Sequence, residues 1–418
     1  MSTPEEEHLV FDWAEAGPDR FRRPVQVMLD DETLRDGLQS PSVIDPPIET
    51  KLRILHLMNR LGIETADVGL PGAGPRQYDA VERLCREIDE RRLRIRPNCA
   101  GRTVTADIQP MAEITQKTGV PIEACVFIGS SPIRQYAEGW DLDHILSHTR
   151  KAIEFAVGEG LEVMYVTEDT IRSAPAQLEV LLTAAVEAGA RRVCLCDTVG
   201  AAIPPGVRNL VSWVAGLLEK LGTPEVGIDW HGHRDRGMGL ANSLAAIEAG
   251  ATRVHGTALG IGERVGNTAM EQLLVNLKLL GIRNDDLSVL HEYVELVADA
   301  VGVPIPVNTA IVGRDAFRTA TGVHAAAVIK AQKKGDAWLA DRIYSGVPAG
   351  WIGRKQEIEI GHMSGKSNVL HYLTARALPC NPDIVAAVLD AAKRKASILT
   401  EAEVREIVEQ IREQGLGS

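Results

Sequence analysis

Short apolar runs alternate with amphipathic segments over the first two thirds of the chain. Eight of these runs have the length and composition of buried strands, and segments of helical periodicity follow most of them. The predicted strands are Val25–Met28, Ala66–Val68, Leu93–Asn98, Ile122–Ile128, Glu162–Val166, Arg192–Cys196, Val226–Trp230 and Arg253–Thr257. The predicted helices among them are Thr50–Leu61, Tyr78–Glu90, Asp143–Glu159, Ala176–Ala188, Gly206–Leu221, Gly239–Glu248 and Thr268–Leu280. This order predicts an α/β protein with a (β/α)8 TIM barrel, and a doubly wound open sheet is the rival architecture.

The alternation stops after Gly281, and the remaining residues are mainly of helical pattern. Helices are expected over Leu287–Val301, in part of Asn308–Lys334, and twice within Asn381–Gln414, with a turn-rich hinge at Gly346–Gly353. We therefore expect four parts. They are an N-terminal extension (1–24), a barrel catalytic domain (25–283), a helical linker or lid subdomain (284–345) and a C-terminal helical subdomain (346–418).

Composition is that of an ordinary globular enzyme, with 45% hydrophobic and 24% charged residues. The formal net charge of -12 argues against a nucleic-acid partner. Six scattered cysteines lack zinc or disulfide spacing, and the acidic start, Met1 to His8, is unlike a secretory signal. We expect a cytoplasmic protein that binds small molecules and neither nucleic acid nor membrane, since no apolar run approaches the length of a membrane span.

Two histidines, His231 and His233, lie at the end of the seventh predicted strand. Because alternate residues of a strand face the same side, both imidazoles can bind one metal ion. The alternative is a pair of surface or core histidines that are adjacent by chance. Near the first strand, Asp36 offers a third ligand and Arg35 a cation for an oxyanion, although an Asp-Gly turn with a surface salt bridge would also explain that run.

Polar residues also follow several other predicted strands, as expected where the loops of a barrel active site converge. The full set is Asp36, Asp67, Glu168, Asp197, His231 and His233.

Seven motifs together resemble the 2-isopropylmalate synthase and homocitrate synthase family. They are Asp31-x-Thr33-Leu34-Arg35-Asp36-Gly37-x-Gln39, Glu168-Asp169, Asp197-Thr198-Val199-Gly200, His231-x-His233, Asn242-Ser243-Leu244-Ala245-Ala246, Gly260-x-Gly262-Glu263-Arg264-x-Gly266-Asn267 and Thr321-Gly322-x-His324. The resemblance covers roughly residues 26 to 370 and implies a barrel enzyme, usually a homodimer with swapped subdomains. It further implies Claisen condensation of acetyl-CoA with a 2-oxo acid, followed by thioester hydrolysis.

The resemblance also implies roles for individual residues. A divalent metal, Mg²⁺, Mn²⁺ or Zn²⁺, would be held by Asp36, His231, His233 and Asn267. Arg35 would stabilise the alkoxide, and Gln39 and Thr198 would bind substrate. The candidate bases for the acetyl proton are His324, which we favour, Glu168 and Tyr344.

The 2-oxo acid is predicted from arginines. Arg134, which lies where homocitrate synthases have the arginine that binds a distal carboxylate, and Arg234 add positive charge near the pocket of an acidic protein. We expect a second anionic group on the substrate, as in 2-oxoglutarate, oxaloacetate or phosphonopyruvate. Asp36 and Asn267 match isopropylmalate synthases, so 2-oxoisovalerate is the alternative, and surface arginines paired with Asp235 or Glu263 would explain the same charges.

Two other classes of function remain open. The first is a lyase, because 3-hydroxy-3-methylglutaryl-CoA lyase shares the run at residues 35 to 39 and the metal histidines. The second is a barrel without catalytic activity that acts as a binding or regulatory partner of other proteins. The extension after residue 285, with Thr321 to His324, favours a synthase over both. The loop from Gly260 lacks the third glycine of a dinucleotide fingerprint, because Val265 occupies that place, so a nicotinamide site is not expected.

Overall fold

Eight parallel strands close into one barrel, in which β8 pairs with β1 and each other strand pairs with its sequence neighbours. The strands are β1 (Met28–Asp31), β2 (Thr65–Asp67), β3 (Arg96–Arg102), β4 (Glu123–Gly129), β5 (Glu162–Glu168), β6 (Arg192–Asp197), β7 (Gly227–Gly232) and β8 (Arg253–Gly256). The predicted TIM barrel is therefore confirmed and the open sheet is wrong.

Helices surround these strands in sequence order, and a further helix, α10, follows the last of them and is shared between two units. They are α1 (Ile48–Arg60), α2 (Pro75–Arg91), α3 (Thr105–Thr118), α4 (Pro132–Glu138), α5 (Leu142–Gly158), α6 (Pro175–Ala188), α7 (Pro204–Lys220), α8 (Gly239–Ala249), α9 (Met270–Leu279) and α10 (Leu290–Val301). The sequence pattern did not predict α3, which contains Pro110, or the short α4, none of whose residues is buried.

The structure, a computed structural model, describes residues 9–13, 20–24 and 26–413. The rest of the predicted extension 1–24, with Val25 of the first predicted strand and the residues from Gln414 onward, lies outside the described residues. Contacts divide the chain into a barrel unit (Met1–Asp285 and Leu296–Val303) and a C-terminal unit (Asp286–Glu295 and Pro304–Ser418). Within the described ranges, none of the helices is both long enough and apolar enough to span a lipid bilayer.

The C-terminal unit is mainly helical. It contains α11 (Gly322–Lys333), α12 (Ala337–Arg342), α13 (Lys366–Ala375), α14 (Pro382–Arg394) and α15 (Glu401–Glu413), with a two-stranded parallel sheet of β9 (Arg318–Thr319) and β10 (Glu357–Ile358). Apolar faces of the last three helices form a core around Val369, Leu373, Val388 and Val404. Both amphipathic helices expected after residue 381 are present.

Charged side chains are buried inside the barrel unit, and Arg253 pairs with two of them. The Arg253 side chain is fully buried, with Nε 2.5 Å from Asp229 Oδ2 and Nη2 2.6 Å from Glu123 Oε2. Arg192 Nε donates to the other oxygen of Asp229 over 2.6 Å. Because buried ions require partners, this network ties β4, β6, β7 and β8 together.

We expect Arg253→Met to destabilise the barrel by about 3–5 kcal/mol, because the methionine leaves the buried carboxylate of Asp229 with too few partners. Chemical denaturation followed by circular dichroism measures the change. Arg208→Met is the matched control, since Arg208 makes an exposed ion pair with Glu248 and its loss should cost less than about 1 kcal/mol. Equal stability of the two variants would contradict this account of the barrel interior.

Candidate active site

A cavity of about 290 Å³ lies at the carboxyl ends of the barrel strands. Polar groups from the ends of β1, β2, β5, β6, β7 and β8 line it, and deeper residues of β3 to β6 form an apolar wall. The polar lining includes Glu32, Arg35, Asp36, Gln39, Asp67, Glu168, Thr198, His231, His233, His255, Glu263 and Arg264. Every lining residue belongs to the barrel unit.

Asp36, His231 and His233 form the candidate metal centre. One donor atom from each residue lies within 4.8 Å of the other two. Asp36 begins a short 3-10 turn after β1, His231 lies on β7, and His233 follows that strand directly. The alternation of the strand therefore brings the two histidines to one side, as the sequence predicts.

Asn267 joins this group. Its Nδ2 donates to Asp36 Oδ2, and a β-bridge pairs its backbone with that of His233. Among the described residues, neither the buried Oδ1 of Asn267 nor the buried Nδ1 of His233 has a hydrogen-bond partner. Since such atoms are costly to bury unpaired, and since the set combines oxygen and nitrogen donors, these residues fit a divalent cation.

Arg35 lies beside the metal centre within a ring of carboxylates. Its Nε is 2.6 Å from Asp67 Oδ2, its Nη1 is 2.8 Å from Asp36 Oδ1 and its Nη2 is 3.2 Å from Glu32 Oε1. Burial opposes the charge, but these three anions raise the pKa of Arg35 well above its ordinary value. A guanidinium has five N–H groups, so two are left for a ligand after these bonds to described residues.

Burial acts on the neighbouring titratable groups. Burial lowers the pKa of His233 to about 4, so this ring is neutral and able to bind a metal at neutral pH. Burial raises the pKa of Asp67 to about 7, although Arg35 opposes the change. The cavity therefore combines a neutral ligand, a fixed cation and a carboxyl group that binds a proton readily.

Glu168 lines the cavity, and Arg134, which is not among the lining residues, lies beside it. Glu168 ends β5, and burial raises its pKa although the charge of Arg134 opposes the change. Arg134 lies on α4, with Nε 3.3 Å from Glu168 Oε1 and Nη1 2.9 Å from Glu138 Oε1. Its side chain is 38% exposed, which leaves room for a further anion beside these carboxylates.

The other predicted substrate-binding residues have different environments. Gln39 and Thr198 line the cavity, and Thr198 Oγ1 accepts a bond of 2.8 Å from the backbone of Asp169. Arg234 instead donates to the carbonyl oxygens of Val265 and Leu259, both over 3.0 Å. Arg234 thus fixes the loop that carries Asn267.

The loop has no space for a side chain at Gly260. A Cβ built there would lie 2.5 Å from Asn267 O and 2.8 Å from Arg234 Cζ, and the φ of +60° favours glycine. Glycine at this position thus allows the loop to pack closely against Arg234 and to hold Asn267 beside Asp36.

His324 and Tyr344 belong to the C-terminal unit. Their rings stack with centroids 4.2 Å apart. His324 is exposed in the first turn of α11, and Tyr344 is 48% exposed after α12. The structure therefore brings these two candidates together.

Two buried cavity residues, Glu32 and His255, were missed as candidates from the sequence. Glu32 Oε2 lies 2.7 Å from His231 Nδ1, and Glu32 Oε1 lies 3.1 Å from His255 Nδ1. A signal existed for His255, because Arg253 and His255 alternate on an otherwise apolar strand and so face the same side.

The chain is similar to a large group of known enzymes. The family described as HMGL-like matches residues 26–297. A probable 2-isopropylmalate synthase from Ignicoccus hospitalis is 32% identical, over 94% of both chains. A homocitrate synthase, AksA, from Methanopyrus kandleri is 34% identical, over 93% of this chain and 94% of that one.

Solved structures resemble the fold. An HMG-CoA lyase from Bacillus subtilis superposes with a TM-score of 0.56 at 22% identity, over 69% of this chain and 97% of that one. A hydroxymethylglutaryl-CoA lyase from Pseudomonas aeruginosa gives the same TM-score at 21% identity, over 66% and 93% of the two chains. At these identities the likeness concerns the fold alone.

We expect His233→Ala to weaken Mn²⁺ binding by more than about 100-fold, because loss of a ligand exceeds the effect of losing an outer hydrogen bond to one. Isothermal titration with MnCl₂ measures the dissociation constant. His56→Ala is the control, since His56 pairs with Glu87 between α1 and α2, outside the cavity lining. Equal Mn²⁺ affinity in the two variants would show that the metal centre is misassigned.

Proposed function

Because this chain belongs to the HMGL-like family, we propose that it is an acyltransferase that condenses acetyl-CoA with a 2-oxo acid. The acetyl methyl carbon loses a proton to a base and attacks the keto carbon, and water then cleaves the thioester. The products are free CoA and a 2-hydroxy acid that carries the carboxylate of the 2-oxo acid, a new carboxylate from the acetyl group and any second anionic group of the substrate. The observation that carries this proposal is the donor set of Asp36, His231 and His233 beside Arg35 in one cavity, with Asn267 hydrogen-bonded to Asp36. The names of the synthase relatives support the same reaction class.

The residues around the keto group would divide the work. A divalent ion, when bound, supplies a Lewis acid that polarises the keto group. Arg35, held by three carboxylates, offers its two remaining N–H groups to the alkoxide that develops during attack. Thr198 and Gln39 line the same cavity and can bind the substrate carboxylate.

The base is assigned to Glu168. The sequence favours His324, but of the three candidates Glu168 is the one that lines the barrel cavity. Burial raises its pKa, and a raised pKa makes the carboxylate a stronger base. On this proposal, His324 and Tyr344 join the site through subdomain swapping in a homodimer.

The substrate class is inferred from Arg134. Arg234 is used by backbone carbonyls, so it does not argue for a second anion on the substrate. Arg134 remains, half-exposed beside Glu168, which lines the cavity. Since the deeper wall is apolar, the second carboxylate or phosphonate of 2-oxoglutarate, oxaloacetate or phosphonopyruvate would lie near Glu168, where Arg134 can pair with it.

Release of CoA from acetyl-CoA, followed with a thiol reagent in the presence of MgCl₂ or MnCl₂, tests the function. We expect release with one of these three acids and none without a 2-oxo acid. In the same assay, Arg134→Ala should raise the KM for the anionic acid about 10- to 100-fold, because a hydrogen bond between charged groups is lost. The KM for 2-oxobutyrate, which has no second anion, should change little.

Two results would contradict this assignment. Release with 2-oxoisovalerate alone would keep the synthase and remove the anion site at Arg134. No release with any 2-oxo acid, together with cleavage of a 3-hydroxyacyl-CoA, would replace the synthase by a lyase. Arg208→Ala, far from the cavity lining, controls for a general loss of surface charge.

The pH profile of kcat/KM tests the base. Glu168 removes a proton only as the carboxylate, and its pKa is raised, so activity should rise with pH through that pKa and fall at lower pH. Glu168→Gln should remove this acid limb and lower kcat by about 100-fold or more. If Glu168→Gln keeps the acid limb of the kcat/KM profile, His324 is the base instead. His324→Gln is the matched variant that tests this alternative.

A further inference from the structure

Glu32 contacts the metal centre through His231 without being one of the proposed metal ligands. It follows β1 directly and is buried. Its Oε2 accepts from His231 Nδ1 over 2.7 Å, while Oε1 faces His255 Nδ1 at 3.1 Å and Arg35 Nη2 at 3.2 Å. One carboxylate thus connects a proposed metal ligand, a second histidine and the proposed alkoxide-binding arginine.

His255 holds this carboxylate in place. Its Nδ1 faces Glu32, and its Nε2 lies 2.9 Å from Asp229 Oδ2. Because both ring nitrogens face carboxylate oxygens, both donate, and the ring is the doubly protonated imidazolium. Asp229 is itself held by Arg253 and Arg192. Glu32 Oε1 is therefore anchored to the buried charges of the barrel, and Oε2 is left for His231.

We propose that Glu32 is the positioning residue of the metal centre, anchored by His255. The bond from His231 Nδ1–H to Glu32 fixes the proton on Nδ1 and the plane of the ring. Nε2 is then the lone-pair nitrogen available to a metal, and an ionised partner makes it a stronger donor. This role rests on the metal-dependent function proposed above, and no residue of the C-terminal unit is needed for it.

In an alternative arrangement, Glu32 and His255 would themselves be metal ligands together with His231. Donor atoms of Glu32, His231 and His255 also lie within 4.8 Å of one another. The Nδ1 atoms of His231 and His255, however, are already hydrogen-bonded to Glu32. The buried atoms without a hydrogen-bond partner, Asn267 Oδ1 and His233 Nδ1, belong instead to the group around Asp36. The hydrogen bonds to Glu32 and the unpaired atoms near Asp36 therefore favour a metal bound by the Asp36 group, with Glu32 as the hydrogen-bond partner of His231.

The test is Mn²⁺ affinity, read from the electron paramagnetic resonance signal of free Mn²⁺ during titration of the full chain. In Glu32→Gln only one acceptor oxygen remains for two histidines, so we expect the dissociation constant to rise about 10- to 100-fold. His255→Gln should give a smaller rise. The double variant should bind no worse than Glu32→Gln alone, because His255 acts through Glu32.

Glu87→Gln is the matched control. Glu87 accepts a hydrogen bond of 2.8 Å from His56 Nε2 between the outer helices α1 and α2, so the same chemical change is made at a histidine-paired carboxylate away from the cavity. Its Mn²⁺ affinity should equal that of the wild type. Circular dichroism checks that each variant is folded, and His255→Gln provides the test if Glu32→Gln is not.

The outcomes separate this inference from the proposed function. If the wild type binds no Mn²⁺, the metal centre and the function fail together, and the role of Glu32 with them. If the wild type binds and Glu32→Gln binds within twofold of it, only the positioning role is overturned. If His255→Gln abolishes binding while His233→Ala retains it, Glu32 and His255 are ligands and the proposal is wrong.

Discussion

Pairing of buried charge is the constraint on which this barrel depends. Arg35 enters the cavity at the end of β1, and Asp67 and Asp36 reach it from β2 and from the turn after β1. An isolated guanidinium could not be buried there, so the arginine and its anions must be placed together. The same rule deeper in the barrel places Arg253 against Asp229 and Glu123. The two layers meet at Glu32 and His255.

This constraint links stability to chemistry. A cation that is already surrounded by fixed carboxylates does not need to reorganise when an oxyanion develops beside it, which is the physical basis of electrostatic preorganisation. The carboxylates in turn supply metal ligands and hydrogen-bond acceptors for histidines. Asp36 serves both purposes, since it pairs with Arg35 and belongs to the candidate metal centre. A substitution in this layer is therefore expected to affect folding and function together.

Much of the barrel and of the site follows from local pattern. The strands after the first lie close to their predicted ranges because buried parallel strands are largely apolar runs, and strand alternation fixes the side of His231 and His233. The first strand was predicted at Val25–Met28 but is Met28–Asp31, because its last two residues are buried aspartates that an apolar pattern does not include. Asn267 was predictable only through resemblance, since its position depends on a loop packed around Gly260 and Arg234.

Other features depend on packing across the barrel. The bond between Glu32 and His231 joins residues far apart in sequence, and no local pattern encodes that pairing. Arg234 shows the converse: its charge beside the metal motif predicted a substrate contact, but its guanidinium bonds to the carbonyl oxygens of Leu259 and Val265. Pro110 hid α3, because proline within a helical pattern usually marks a break.

The proposed condensation forms a carbon–carbon bond between the acetyl methyl group and a keto carbon. Carbon-13 NMR of the product made from acetyl-CoA labelled at the methyl carbon tests it directly. We expect a labelled methylene carbon attached to a tertiary carbinol carbon, in a product that also carries the carboxylate of the 2-oxo acid. Labelled free acetate, with the 2-oxo acid unchanged, would show simple thioester hydrolysis and contradict it.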